Sequence, residues 1–163
     1  MSRARSRIAV IALGNPLLCD DSAALVAMER LRQIATGEEI DFIESYSSGM
    51  DLLLDLVGRD GVIVVDAVRT MECPPGTCLE FTLDDLDHTR QARLVDTHGM
   101  NLATVFETGH RFGYQMPRKV VVLGIEGRDF TSFHESPSEA VMAKMPQIVE
   151  TLEKTIAGMG VLA

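Results

Sequence analysis

Four side chains in this chain have the types and spacing for chemistry. Asp20 and Asp21 close the stretch Gly14-Asn15-Pro16-Leu17-Leu18-Cys19-Asp20-Asp21, Asp66 follows the apolar run Val62 to Val65, and His98 sits in Asp96-Thr97-His98-Gly99. Two carboxylates and an imidazole around one cleft suit a divalent metal with positions left open. Each also has a plainer role. Asp20 or Asp21 can cap the helix that follows and meet its positive end, but a cap needs only one of them. Asp66 can accept backbone hydrogen bonds at a strand end. A carboxylate after four buried apolar residues is costly unless paired, which favours function. By itself His98 reads as a loop histidine. His88, His110 and His134 sit in polar contexts and receive no role, and Cys19 reads as a small half-buried packing residue.

The elements that must position these groups follow from periodicity. Ile8 to Leu13 is an unbroken apolar run stopped by Gly-Asn-Pro, the pattern of a buried strand entering a loop. Ser22 to Ala35 keeps helical spacing through Ala24, Leu25, Met28, Leu31 and Ala35. Glu39 to Tyr46 reads as a strand, Met50 to Val57 as a short helix, and Val62 to Val65, ending at Asp66, as the clearest strand. Met71 to Thr77 is turn-like and Cys78 to Leu83 is a strand. Asp84 to Asp96 is a loop or short helix, Met100 to Phe112 a helix capped by Asp96 or Thr97, and Lys119 to Ile125 the last strand. Ser136-Pro137-Ser138-Glu139 opens a final helix with Ser as cap, Pro first and Glu third. That helix presents Val141, Met145, Ile148, Val149, Leu152 and Ile156 on one face and is kinked or restarted at Pro146.

Strands alternating with helices predict a mostly parallel sheet covered on both faces. The strand from Cys78 follows its predecessor too closely for a helical crossover, so one antiparallel pairing is expected. Ligands in such sheets bind beyond the carboxyl ends of the strands. If the second strand lies outside the first, the first and third become neighbours, and the loop aspartates converge with Asp66.

Composition narrows the partners. The 163 residues fit one domain, 1–163, with a basic, flexible tail over 1–7. Twenty-four acidic against 15 basic residues give a net charge of −9. With no dense Lys/Arg cluster beyond the tail, nucleic acid is not an expected partner. No stretch approaches membrane-spanning length. Three cysteines at these spacings argue against a disulfide scaffold and for a reducing, cytoplasmic setting. The G-x-S-x-G elbow, the Walker A loop, the G-x-G-x-x-G fingerprint and the pepsin-type Asp-Thr-Gly are all missing.

The ordered set Gly14-Asn15, Asp20-Asp21, Val64-Val65-Asp66-Ala67, His98 and Gly124-Ile125-Glu126 resembles the hydrogenase maturation proteases, which process the large subunit of nickel–iron hydrogenases. Ser48-Gly49-Met50-Asp51-Leu52-Leu53, Pro75-Gly76 and Ser136 to Val141 support the likeness, which runs from about Ile8 to the last helix. It implies a three-layer α/β fold of phosphorylase/hydrolase-like type: a twisted, mostly parallel five-stranded sheet between helices, with one strand antiparallel. It implies Asp21, Asp66 and His98 as metal ligands carrying catalysis, with Asp20 in support. It implies an endopeptidase that removes a short C-terminal peptide from a nickel-loaded precursor. The nickel is then supplied at least partly by the substrate. Ligand type alone does not select nickel over another divalent metal. Where the family usually has glycines after the acidic pair this chain has Ser22-Ala23-Ala24, expected to narrow the turn or the backbone approach to substrate. Two other readings remain: a metal-dependent binding or chaperone module of the same fold that does not cleave, and a nucleoside phosphorylase or hydrolase-like enzyme.

Overall fold

The computed structural model describes residues 7–35, 39–46, 50–86 and 102–160. The strands are β1 (Ile8–Leu13), β2 (Ile40–Ser45), β3 (Gly61–Val68), β4 (Cys78–Phe81) and β5 (Lys119–Glu126). The helices are α1 (Ala23–Ile34), α2 (Met50–Leu56), α3 (Leu102–Arg111), α4 (Glu139–Ala143) and α5 (Met145–Gly158). Expected loop and cap residues over 87–101, His98 among them, and the Ser48-Gly49 pair lie outside the described residues.

The five strands form one sheet in the order β2-β1-β3-β5-β4. β1, β2, β3 and β5 are parallel, and β4 runs antiparallel to β5. The second strand therefore lies outside the first, and β1 and β3 are neighbours, with Ile8 opposite Gly61 and Ala12 opposite Val65. β4 reverses through a turn in which Thr77 N–H donates to Pro74 C=O at 3.2 Å and Gly76 takes φ +87°. Pro at the second and Gly at the third position is the type II pattern, which only glycine enters cheaply.

Alternation along the strands splits the core between two faces. Ile63 and Val65 join α1 and α5 through Met28, Leu31, Ile148 and Leu152, while Val62 and Val64 join α2 and α3 through Leu52, Leu56, Val105 and Phe106. The expected face of the last helix, Val141, Met145, Ile148, Val149, Leu152 and Ile156, is buried throughout. Each such side chain contributes about 1.5–3 kcal/mol. No described helix is long and apolar enough to cross a membrane.

Three local expectations change. β3 continues two residues past Asp66, so Asp66 sits inside the strand, opposite Gly124, and not at its end. The cap of the final helical region is Ser138, not Ser136, and Pro137 lies ahead of α4. Ser138 makes no side-chain cap bond; its N–H is donated elsewhere. Pro146 does restart the helix, falling in the first turn of α5, where its missing N–H costs nothing.

Candidate functional site

The acidic pair sits at the carboxyl end of β1 in a short 3-10 turn, Cys19–Ser22, that leads into α1 and packs against β3. Two close approaches hold the loop. Asp21 C=O accepts the Asn15 N–H at 3.3 Å, and a Cβ on Gly14 would lie 2.4 Å from that same oxygen. Position 14 therefore admits only glycine without displacing the backbone of Asp21. Ser22 and Ala23 adopt ordinary right-handed helical angles, and Ser22 O–H donates to Cys19 C=O at 2.7 Å. The backbone at Ser22 and Ala23 therefore needs no glycine. The strain falls instead on Cys19, at φ +44°. It is held there by its N–H to His134 C=O at 2.9 Å.

Asp20 and Asp21 are both buried, at 0% and 2% exposure, but they serve different surroundings. The Asp20 carboxylate accepts the N–H groups of Arg128 at 2.8 Å, Asp129 at 3.1 Å and Ser138 at 2.8 Å. Burial opposes its charge, yet these donors outweigh burial and hold the carboxyl below the ordinary aspartate range. Asp20 thus staples the first loop to both ends of the segment between β5 and α4. Asp21 belongs to the turn packed on β3. On β3, Asp66 shares the face of Val62 and Val64, the face covered by α2 and α3. His98 precedes α3 by four positions in the sequence. The structure thus brings together the turn of Asp21 and the strand of Asp66, from places 45 positions apart, while the third expected ligand lies outside the described residues. Among the described residues, no three His, Cys, Asp or Glu side chains gather closely enough to hold an ion. Two buried or half-buried carboxylates joined by an imidazole would fit a borderline divalent ion.

Cys19 is buried, and burial together with the neighbouring Asp20 and Asp129 charges pushes its thiol up. Both effects favour the thiol over the thiolate.

Motif reading missed a second carboxylate centre. Glu126, at the end of β5, has 0% exposure. It accepts Thr70 N–H at 3.0 Å, Thr70 O–H at 2.9 Å, Met71 N–H at 2.9 Å and the Arg128 guanidinium at 2.5 Å. Burial opposes its charge, but these donors prevail and hold its carboxyl below the usual glutamate range. Arg128 also donates to Cys73 C=O at 2.7 Å. The pair fixes the chain leaving β3, including Met71 at φ +63°, beside the carboxyl end that carries Asp66. The Gly124-Ile125-Glu126 run marked the position; nothing in the sequence tied it to Thr70, 56 residues away.

Comparisons with known proteins agree with this architecture. The sequence model of a family described as hydrogenase maturation protease matches residues 26–155, a span that holds Asp66 and His98 and begins just after the acidic pair. The hydrogenase 2 maturation protease of Escherichia coli (strain K12) is 28% identical over 120 residues, 73% of this chain and 72% of that protein. Among solved structures, the hydrogenase maturating endopeptidase HybD from E. coli superposes with a TM-score of 0.79 at 23% identity, covering 94% of each chain. The [NiFe] hydrogenase maturation protease HybD from Thermococcus kodakarensis gives 0.71 at 22% identity, covering 91% of this chain and 98% of its own.

Proposed function

This chain belongs to the hydrogenase maturation protease family, and from that premise we propose that it removes a short C-terminal peptide from the nickel-loaded precursor of a nickel–iron hydrogenase large subunit, in the cytoplasm. The observation that carries this reading is the packing of the buried Asp21 turn onto the Asp66 strand at the carboxyl end of the sheet, where α/β folds place their ligands.

Asp21, Asp66 and His98 are the groups assigned to hold the nickel that the precursor brings, another divalent ion being a possible substitute. A bound divalent ion supplies polarisation of the scissile carbonyl. The chain's own part is to present that ligand set on a rigid frame. Gly14 lets the first loop close on Asp21, Asp20 anchors that loop from below, and Glu126 with Arg128 holds the segment after β3. A carboxylate at Asp20 or Asp21 offers general-base help to water. Asp20 is committed to three backbone donors.

The test is incubation with nickel-loaded precursor, read by intact-mass spectrometry. Loss of a C-terminal peptide from the nickel-loaded form, and none from the nickel-free form, is the expected result. Asp21→Ala, Asp66→Ala and His98→Ala are each expected to abolish processing with the circular dichroism spectrum kept. An uncut precursor that still forms a nickel-dependent complex would instead support the non-cleaving binding module.

A further inference from the structure

At the amino end of the sheet, away from the Asp21 turn, lies a cavity of about 420 Å³. It is lined by Arg7, Arg59, Asp60, Gln115, Met116 and Arg118. Strand pairing assembles it. In the parallel register Ile8 lies opposite Gly61, and Gly61 opposite Lys119. Arg7, Asp60 and Arg118 therefore stand one position ahead of three adjacent strands, β1, β3 and β5. The pairing continues below the strands: Asp60 N–H donates to Arg7 C=O at 2.8 Å, and Arg118 N–H to Asp60 C=O at 3.1 Å. Neighbouring strands lie about 4.8 Å apart, so Arg7 and Arg118 flank Asp60 with their backbones roughly 10 Å from each other. Arg59 enters from the end of α2. Gly58, at φ +78°, donates its N–H to Gln115 C=O at 2.8 Å, and this junction sets Arg59 against the segment before β5.

Its charge runs against that of the chain. The sequence carries a net −9, yet three guanidinium groups meet here around the Asp60 carboxylate. Arg7 pairs with Asp60. Arg59 is buried and pairs with Asp41, and its Nε donates to Asp55 C=O at 3.0 Å, which fixes the guanidinium in place. Arg118 pairs with no carboxylate among the described residues. Gathering like charges costs free energy unless an anion stands between them. Buried Met116 gives the cavity an apolar floor, and Gln115 adds an amide. A partly dry wall strengthens a charged hydrogen bond. Arginine forks match the paired oxygens of an oxyanion. A phosphate dianion offers three or more oxygens and engages several forks at once, where a carboxylate offers two. The volume lies in the range of small-molecule sites, about 300–1,000 Å³.

We infer that this cavity binds the phosphate group of a small molecule, either inorganic phosphate or a nucleoside phosphate whose remaining part lies along Gln115 and Met116. The site does not depend on the protease reading. Asp60 stands six positions before Asp66 along the line of β3, about 20 Å at 3.3 Å per residue, so the ligand does not meet the acidic turn. A phosphate held by Arg7, Arg59 and Arg118 ties together the entries of β1, β3 and β5. Those entries are aligned only in the folded chain, so binding stabilises the fold.

The experiment titrates the whole chain with inorganic phosphate, adenosine monophosphate and succinate at matched ionic strength, read by isothermal titration calorimetry and by thermal unfolding. Phosphate or the nucleotide, at about ten times its Kd, is expected to raise Tm by roughly 3–6 °C. Succinate, a dianion built from carboxylates, is expected to leave it unchanged. Arg118 is exposed, so Arg118→Ala keeps the fold, which its ligand-free Tm checks. That variant is expected to weaken binding at least about tenfold, the loss of one charge-assisted contact. Asp60→Asn removes the competing carboxylate and keeps the backbone pairs. It is expected to tighten binding roughly fivefold, the weight of one nearby charge under water-like screening. Tighter binding of the nucleotide than of phosphate assigns a nucleoside phosphate; equal or weaker binding assigns free phosphate. No heat and no Tm shift with either at millimolar concentration, an equal shift from succinate, or unchanged affinity in Arg118→Ala overturns the site.

Discussion

The Asp20 carboxylate receives the backbone N–H of Ser138, 118 positions later in the chain, at 2.8 Å. With the N–H groups of Arg128 and Asp129 on its other oxygen, this makes one side chain the junction between the loop after β1 and the segment between β5 and α4. A carboxylate with no exposure that accepts backbone donors acts as an organiser of the fold around the site.

Asp20→Asn tests that role. The amide turns two donors towards N–H groups that need an acceptor. Stability is expected to fall by about 2–3 kcal/mol, a drop in Tm of roughly 4–12 °C. Differential scanning calorimetry reads it. Near-normal Tm with abolished processing would move Asp20 from the frame into the chemistry.

Gly14→Ala places a methyl 2.4 Å from the Asp21 carbonyl oxygen. Overpacking of this kind costs about 1–3 kcal/mol. Because the displaced atom belongs to Asp21, processing is expected to suffer more than stability does. Denaturant unfolding and the precursor assay, run on the same preparation, compare the two losses.

Glu126 sets a pH dependence. Its carboxyl is held below its unfolded value of about 4.3. The stability it contributes is therefore present above that value and is lost as pH falls through the lower, folded one. Glu126→Gln is expected to lower stability near neutrality and to flatten the acid limb of the stability curve. Thermal unfolding between about pH 2 and 7 shows it; an unchanged slope would contradict the assignment.

Far from the site, Arg59 is 3% exposed, paired with Asp41 and donating through Nε to Asp55 C=O at 3.0 Å. Removing one member of a buried pair leaves the other's charge stranded. Asp41 keeps 26% exposure, so Arg59→Met is expected at the low end, about 3 kcal/mol. Asp41→Asn in the same chain is expected to recover part of it, which a double-variant cycle measures.

Much of this was legible in the sequence because it rests on local pattern. Ile8 to Leu13 is apolar at every position and bounded by Gly-Asn-Pro, so its strand needs no tertiary information. The helical face from Val141 to Ile156, the restart at Pro146 and the reversal at Pro75-Gly76 are likewise short-range steric facts. The ordered acidic motifs marked Asp21 and Asp66, since a carboxylate beside buried apolar runs must be explained.

Only the fold could decide what each carboxylate does. Asp20 and Asp21 are chemically identical neighbours, and one is committed to donors more than a hundred residues away because the β5–α4 segment returns to β1. Glu126 and Arg128 gain their roles from Thr70 and Cys73, and the arginine cavity exists because β1, β3 and β5 pair in register. Hydrogen bonds and charges act over a few ångströms of space, whatever the separation along the chain. Sequence pattern fixes which groups are costly to bury, and the tertiary structure fixes which partner offsets each one.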